Sequence, residues 1–326
     1  MAVYTHLAAE QLAELIAAYD VGSLLSAKGI AEGVSNSNWL VETSGRDGRG
    51  ARFILTMYER RIEIGDLPFF LDLLDHLAER DCPVPRTIHD RDGASYRLLQ
   101  GKAVALIEFL PGVSVDYPAT AQARAVGQAL AQVHLASQDF ARSRPNPLDI
   151  AKSHEVLEQC GATALGTIDP ALPDFVAKAA SLCAAWPRDL PRAICHTDLF
   201  PDNVLMLGDK VSALIDFYFA CEDAMAYDLA VTHASWSFSR GGLQFKPEIG
   251  HALLDGYEAV RSLSSREREM LPLLTRGACL RFIASRAEDW LNTPQDALVT
   301  RKDPMDFARR FQFYAGAGAL AFALPN

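Results

Sequence analysis

The chain changes its pattern once, near Phe109-Leu110-Pro111-Gly112, and that change constrains the fold more than any other feature. Upstream of it, strand-like runs at residues 38–43, 52–57, 86–89, 95–99 and 104–109 are separated by Gly- and Asp-rich turns, a Gly-rich hairpin at 45–50 and Asp92-Gly93 among them. Two helices join these strands. One spans 10–19 with Leu12, Leu15 and Ile16 on one face. The other carries Leu67, Leu71, Leu74 and Ala78 and stops at Cys82-Pro83-Val84-Pro85, where proline cannot continue it. Downstream, apolar residues recur at helical spacing over 120–140, 173–186, 225–238, 248–261, 266–290 and 306–314, and Ser264 with Glu267 forms a capping-box signature. Short strands interrupt that half only at 193–195 and 204–215, the latter turning at Gly208-Asp209. The expected class is α+β, with a β-rich N-terminal lobe at 1–109, a mainly helical C-terminal lobe at 110–326, and a cleft between them where ligand sites commonly lie.

The balance of charge narrows the partners. The 326 residues carry a net charge of −10. No dense Lys/Arg run offers phosphate neutralisation, so neither nucleic acid nor an anionic membrane is an expected partner. An acidic protein still binds a polyanion when a metal bridges the two, and ATP with Mg2+ is that case. The six cysteines form neither a CxxC pair nor a zinc spacing, which suits a reducing compartment. The first residues lack a leader pattern, and the most apolar internal run, 103–110, contains Glu108 and is too short to span a bilayer. A cytoplasmic location is expected.

The chemistry gathers around the short strands of the second half. Asp198 and Asn203 lie on one loop, and Asp216 follows the 204–215 hairpin, which returns it toward Asn203. Phosphoryl transfer asks for a carboxylate that orients and deprotonates the attacking hydroxyl, and for oxygen ligands that hold Mg2+ on the nucleotide phosphates. Asp198 supplies the first, and Asn203 and Asp216 the second. Singly, each residue is more often a turn former or cap than a functional group; the order acid, amide, acid is what points to a kinase.

His196-Thr197-Asp198-Leu199-Phe200-Pro201-Asp202-Asn203 resembles the catalytic loop H-G-D-x-x-x-x-N of the aminoglycoside phosphotransferase-like kinases, with Thr197 where that family usually has Gly. Ile215-Asp216-Phe217 resembles its metal loop, Tyr227-Asp228-Leu229-Ala230 its bracing D-L-A, and Gly33-Val34-Ser35-Asn36-Ser37-Asn38 its phosphate-covering loop. The likeness runs from about residue 30 to 230 and implies a bilobal, protein-kinase-like fold. Within that superfamily, Phe53 to Glu59, Asp66-Leu67-Pro68-Phe69-Phe70, Ile215-Asp216-Phe217-Tyr218-Phe219-Ala220-Cys221 and Arg281-Phe282-Ile283-Ala284-Ser285-Arg286 are similar to homoserine kinases of threonine biosynthesis. That likeness implies ATP and L-homoserine as substrates. A kinase for another small hydroxyl compound (aminoglycoside, choline, hydroxylysine or methylthioribose) remains an alternative, as does an inactive kinase-like binding module. Only Thr56, standing where many kinases carry a strand lysine, supports the last, and homoserine kinases look similar there.

The resemblance also assigns subsites. Ser35, Asn36, Ser37 and Asn38 would cover the phosphates, and Ile107, Glu108 and Phe109 would meet the adenine. His134 would pack beneath the catalytic loop. For a zwitterionic acceptor, Arg281 or Arg286 would meet the carboxylate. The two lie five residues apart on one helix, roughly 140° around it, and so do not both face one ligand. Asp202 and Tyr218, with Glu222 and Asp223, would flank the ammonium. Arg52 or Lys28 would stand in for the missing lysine.

Overall fold

The structure, a computed structural model, describes residue 5 and residues 7–30, 36–59, 63–293 and 301–323. The chain divides into two compact units, Met1–Pro111 and Gly112–Asn326.

The first unit is a six-stranded antiparallel sheet with two helices. Its elements run α1 (Ala9–Ala17), β1 (Leu24–Gly29), β2 (Asn36–Thr43), β3 (Ala51–Tyr58), α2 (Leu67–Ala78), β4 (Thr87–Ile88), β5 (Arg97–Leu99) and β6 (Lys102–Glu108). The sheet order is β1-β2-β3-β6-β4, with β5 also on β6. Leu12, Leu15 and Ile16 of α1 pack on Trp39, Val41, Leu55, Met57, Val104 and Leu106, one face of the sheet. Period-two alternation makes that face apolar and sends Asn38, Leu40, Ile54 and Thr56 to the other. Strand β1 was not expected. Leu-Leu-Ser-Ala-Lys-Gly shows no clean alternation, because this edge strand is largely solvent-facing.

The second unit is mostly helical. It contains α3 (Thr120–Ala136), α4 (Ile150–Cys160), α5 (Ala162–Ile168), α6 (Asp174–Ala185), β7 (Arg192–Cys195), β8 (Val204–Leu207), β9 (Lys210–Leu214), β10 (Cys221–Ala224), α7 (Met225–Trp236), α8 (Pro247–Glu258), α9 (Ser265–Asn292) and α10 (Met305–Ala317). Strands β7 and β10 pair antiparallel, as do β8 and β9. Helices α4 and α5 were not expected, although Asp149 caps α4 by accepting the Lys152 N–H at 2.7 Å. Nor was β10, whose Cys-Glu-Asp-Ala has no strand propensity and is held in place by β7.

Helix α9 opens with the expected capping box, Ser264 and Glu267 exchanging hydrogen bonds with each other's backbone N–H at 3.2 and 2.9 Å. Helices α3 and α8 approach backbone to backbone at two glycines. A Cβ on Gly127 would strike the Leu253 carbonyl, and one on Gly256 the Arg124 carbonyl. This close crossing sets His134, near the end of α3, beside Tyr257 of α8.

Candidate active site

Strand β7 delivers the loop that carries Asp198, and the β8–β9 hairpin returns the chain to it. A backbone hydrogen bond from the Ile215 N–H to the Asn203 carbonyl, 3.0 Å, closes the hairpin and puts Asp216 next to the loop. His196 adds a second tie. Its Nε2 donates to the Ile215 carbonyl at 2.9 Å and its Nδ1 accepts the Asp198 N–H at 3.2 Å, which defines a neutral tautomer. Burial lowers its pKa and keeps it neutral. A third tie runs from the Thr197 hydroxyl to the Phe219 carbonyl at 3.0 Å.

Asp228 holds the loop from behind. Its carboxylate accepts the N–H groups of His196 and Thr197 at 2.6 and 2.7 Å. The same carboxylate accepts His134 Nε2 at 3.0 Å, and His134 Nδ1 lies 2.8 Å from the Tyr257 hydroxyl. Burial alone would raise the Asp228 pKa. The His134 hydrogen bond and charge, with the backbone donors, reverse that and hold it below the usual range. Thr197 needs the support, because its φ is +60°, costly for a β-branched residue. Trp236 Nε1 donates to the Leu199 carbonyl at 3.0 Å, a support that nothing in the sequence signalled.

Asn203 donates through Nδ2 to the Asp198 carbonyl at 2.8 Å and toward Asp198 Oδ2 at 3.4 Å. Its Oδ1 is thereby turned away from Asp198 and available to a cation. Asp216 takes a left-handed conformation, φ +66° and ψ 54°, directly after the hairpin. The residue is exposed. Desolvation, then the charge of Asp198, pushes its pKa up to about 6. Asp198 is 18% exposed and likewise rises to about 6 through burial, against the opposing charge of Arg281. Two carboxyls that resist ionising side by side beside an amide oxygen make a donor set suited to a hard divalent cation.

The other expected residues are placed as follows. Asp202 is exposed on the turn before β8, and Tyr218 is half-buried on the turn after Asp216. Glu222 binds Ser143 and Arg192, and Asp223 accepts from Asn146 at 2.6 Å, so both have structural partners. Both arginines expected at a substrate carboxylate also have other partners. Arg281 is buried, donates to the Thr197 carbonyl, lies 3.8 Å from Asp198 Oδ1 and covers the Phe219 and Phe282 rings. Arg286 binds the Asp303 carbonyl at 2.9 Å and Asp306 at 3.2 Å, over the Phe307 ring.

In the first unit, Ser35 lies outside the described residues. Asn38 Oδ1 accepts from the Thr56 hydroxyl at 2.8 Å, so the position of the usual lysine is occupied by a neutral pair. Ser37 faces the opposite side of β2 from Asn36 and Asn38, where its hydroxyl donates to Glu59 at 2.6 Å, alongside the Glu59–Lys102 ion pair. Leu40, Ile54 and Ile107 align across β2, β3 and β6 as an apolar strip. The Glu108 N–H donates to the Arg86 carbonyl at 2.9 Å, so among these main-chain groups it is already spent within the sheet. Phe109 follows the end of β6, under the Arg52 guanidinium. Arg52 itself pairs with Glu42 at 3.1 Å, four residues from Thr56 along the strand, and Lys28 is exposed on β1.

Residues 26–263 match the model of the APH phosphotransferase enzyme family. The chain belongs to that family. Among phosphotransferases with curated descriptions, it is 47% identical to the homoserine kinase of Nitrobacter winogradskyi over 321 residues, 98% of this chain and 96% of the relative. It is 46% identical to the homoserine kinase of Rhizobium etli, covering 98% of both. Solved structures share the fold at lower identity. Spectinomycin phosphotransferase with ADP and spectinomycin aligns at TM-score 0.68 and 16% identity over 95% of each chain. Amicoumacin kinase with AMP-PNP and Ca2+ aligns at 0.69 and 13%, over 97% of this chain and 96% of the other. No helix among the described residues is long and apolar enough to cross a membrane.

Proposed function

We propose that this protein is an ATP-dependent kinase that phosphorylates the side-chain hydroxyl of L-homoserine, giving O-phospho-L-homoserine and ADP, a step of threonine biosynthesis. The observation that carries the substrate is near-half identity with homoserine kinases along almost the whole chain. The convergence of Asp198, Asn203 and Asp216 supports the chemistry.

Asp198 accepts the proton of the homoserine hydroxyl and aims its oxygen at the γ-phosphorus. The Arg281 guanidinium beside it favours its ionised form and fixes the loop through the Thr197 carbonyl. Asn203 Oδ1 and the Asp216 carboxylate would hold Mg2+, which when bound neutralises charge on the nucleotide phosphates. Desolvation and the charge of Asp198 raise the Asp216 pKa, and a bound cation would offset both. The apolar strip Leu40-Ile54-Ile107 offers a surface for the base. Asn38 and Thr56 give neutral contacts where other kinases use a lysine, leaving phosphate charge to the metal.

The test is ADP release with Mg2+, ATP and a panel of L-homoserine, L-serine, L-threonine, choline and kanamycin. Homoserine should be turned over in preference to the rest. Turnover of choline or kanamycin without homoserine would reject the assignment.

A further inference from the structure

An amino-acid acceptor brings a carboxylate into a site already crowded with Asp198, Asp202, Asp216 and a triphosphate, so a cation must meet it on the acceptor side. Arg281 and Arg286 are taken up by the protein itself, as described above. Arg301 donates to the Thr293 carbonyl, and Arg309 to the Gly241 carbonyl and Asp306.

Lys302 differs. It is exposed, and its ammonium has no hydrogen bond or ion pair among the described residues. It lies 6.0 Å from the centroid of the Phe200 ring, two residues beyond Asp198. Phe200 is held edge-on by Phe282 of α9 and Phe307 of α10, with centroids 5.0 and 5.9 Å away, so the ring is a fixed platform rather than a loose side chain. Through that ring Lys302 sits against the loop that carries the base, Asp198.

We propose that Lys302 binds the α-carboxylate of the amino-acid acceptor and makes this site select amino acids over neutral or cationic alcohols. The inference rests on the homoserine reading and adds the residue that recognises the acid group. An ammonium on a flexible four-carbon stem suits this role, because it can close on the carboxylate as the substrate enters.

The experiment compares L-homoserine with L-homoserine amide, which keeps the ammonium and hydroxyl but lacks the anion, in the wild type, Lys302→Met and Lys302→Arg. Lys302→Met should raise the KM for homoserine about 10- to 100-fold, the loss of one charge-assisted hydrogen bond. The same variant should leave the KM for ATP and the turnover of the amide within about twofold, and Lys302→Arg should recover part of the homoserine affinity. Because the side chain is exposed, Lys302→Met should melt with the wild type. A normal homoserine KM in Lys302→Met, equal losses with both acceptors, or a parallel rise in the KM for ATP would each overturn the inference while leaving homoserine kinase activity intact. Failure of the wild type to phosphorylate homoserine at all would instead overturn the functional reading beneath it.

Discussion

Replacing Asp198 by Asn should cost the enzyme its activity and make it more stable, and the structure sets the size of both effects. The Asp198 carboxyl has a pKa of about 6 against an ordinary value of 3.8. That gap already includes the favourable charge of Arg281. At about 1.4 kcal/mol per tenfold it corresponds to about 3 kcal/mol spent on ionising the group in the folded protein. Solvent reaching the 18%-exposed side chain reduces this, so a neutral isostere should gain about 1–3 kcal/mol at pH 8. A folded pKa above the unfolded one means that the native state holds the proton longer. Wild-type stability is then free of this cost below pH 3.8, declines as pH rises toward 6, and is flat above it. The variant has no such dependence. Melting of the metal-free proteins in EDTA should show Asp198→Asn at least about 2 °C above wild type at pH 8, the two converging near pH 4. Turnover should fall by about 10²–10⁴. A variant less stable than wild type at pH 8, or a difference that ignores pH, would refute the electrostatic reasoning. Near-normal turnover would remove Asp198 from the mechanism.

Three further outcomes follow from the geometry. Asp216→Asn removes a charge from the cation site and should raise the Mg2+ concentration for half-maximal activity by about tenfold or more; an unchanged metal dependence would count against its role as a ligand. Asp228→Asn leaves one of two buried backbone N–H groups facing an amide NH2, at about 1–3 kcal/mol. Turnover should drop toward about 10²-fold as Asp198 shifts, while the KM for ATP changes little; equal changes in both constants would make Asp228 a general stability residue only. Gly127→Ala pushes a methyl into the Leu253 carbonyl and should destabilise by about 1–3 kcal/mol or more; an unaltered melting temperature would mean that the two helices separate freely.

The reactive residues were legible because phosphoryl transfer dictates their types and spacing, and a two-stranded hairpin between Asn203 and Asp216 left one way for them to meet. Long helices with strong periodicity were legible for the same local reason. Pairings imposed from elsewhere were not. Strand β10 is Cys-Glu-Asp-Ala and exists because β7 lies beside it. Edge strand β1 buries too little to show an alternating pattern. The arginines illustrate the limit best. Arg281 and Arg286 were expected at a substrate carboxylate, but their partners in the structure, Thr197 and Asp306, are set by tertiary packing, which spacing along α9 does not encode. Lys302 carries no motif of its own, and only its seat over Phe200 singles it out.

The left-handed Thr197 depends on three distant parts of the chain: Asp228 on α7, the carbonyl of Phe219, and Arg281 on α9. Every motif residue has been synthesised by position 230, yet the peptide unit before the base acquires its guanidinium clamp only when position 281 arrives and docks, beyond the 26–263 stretch that the family shares. A fragment ending after α8 would carry all the phosphotransferase signatures without the Arg281 clamp. Catalytic competence in this chain should therefore be sensitive to any change that loosens the docking of α9.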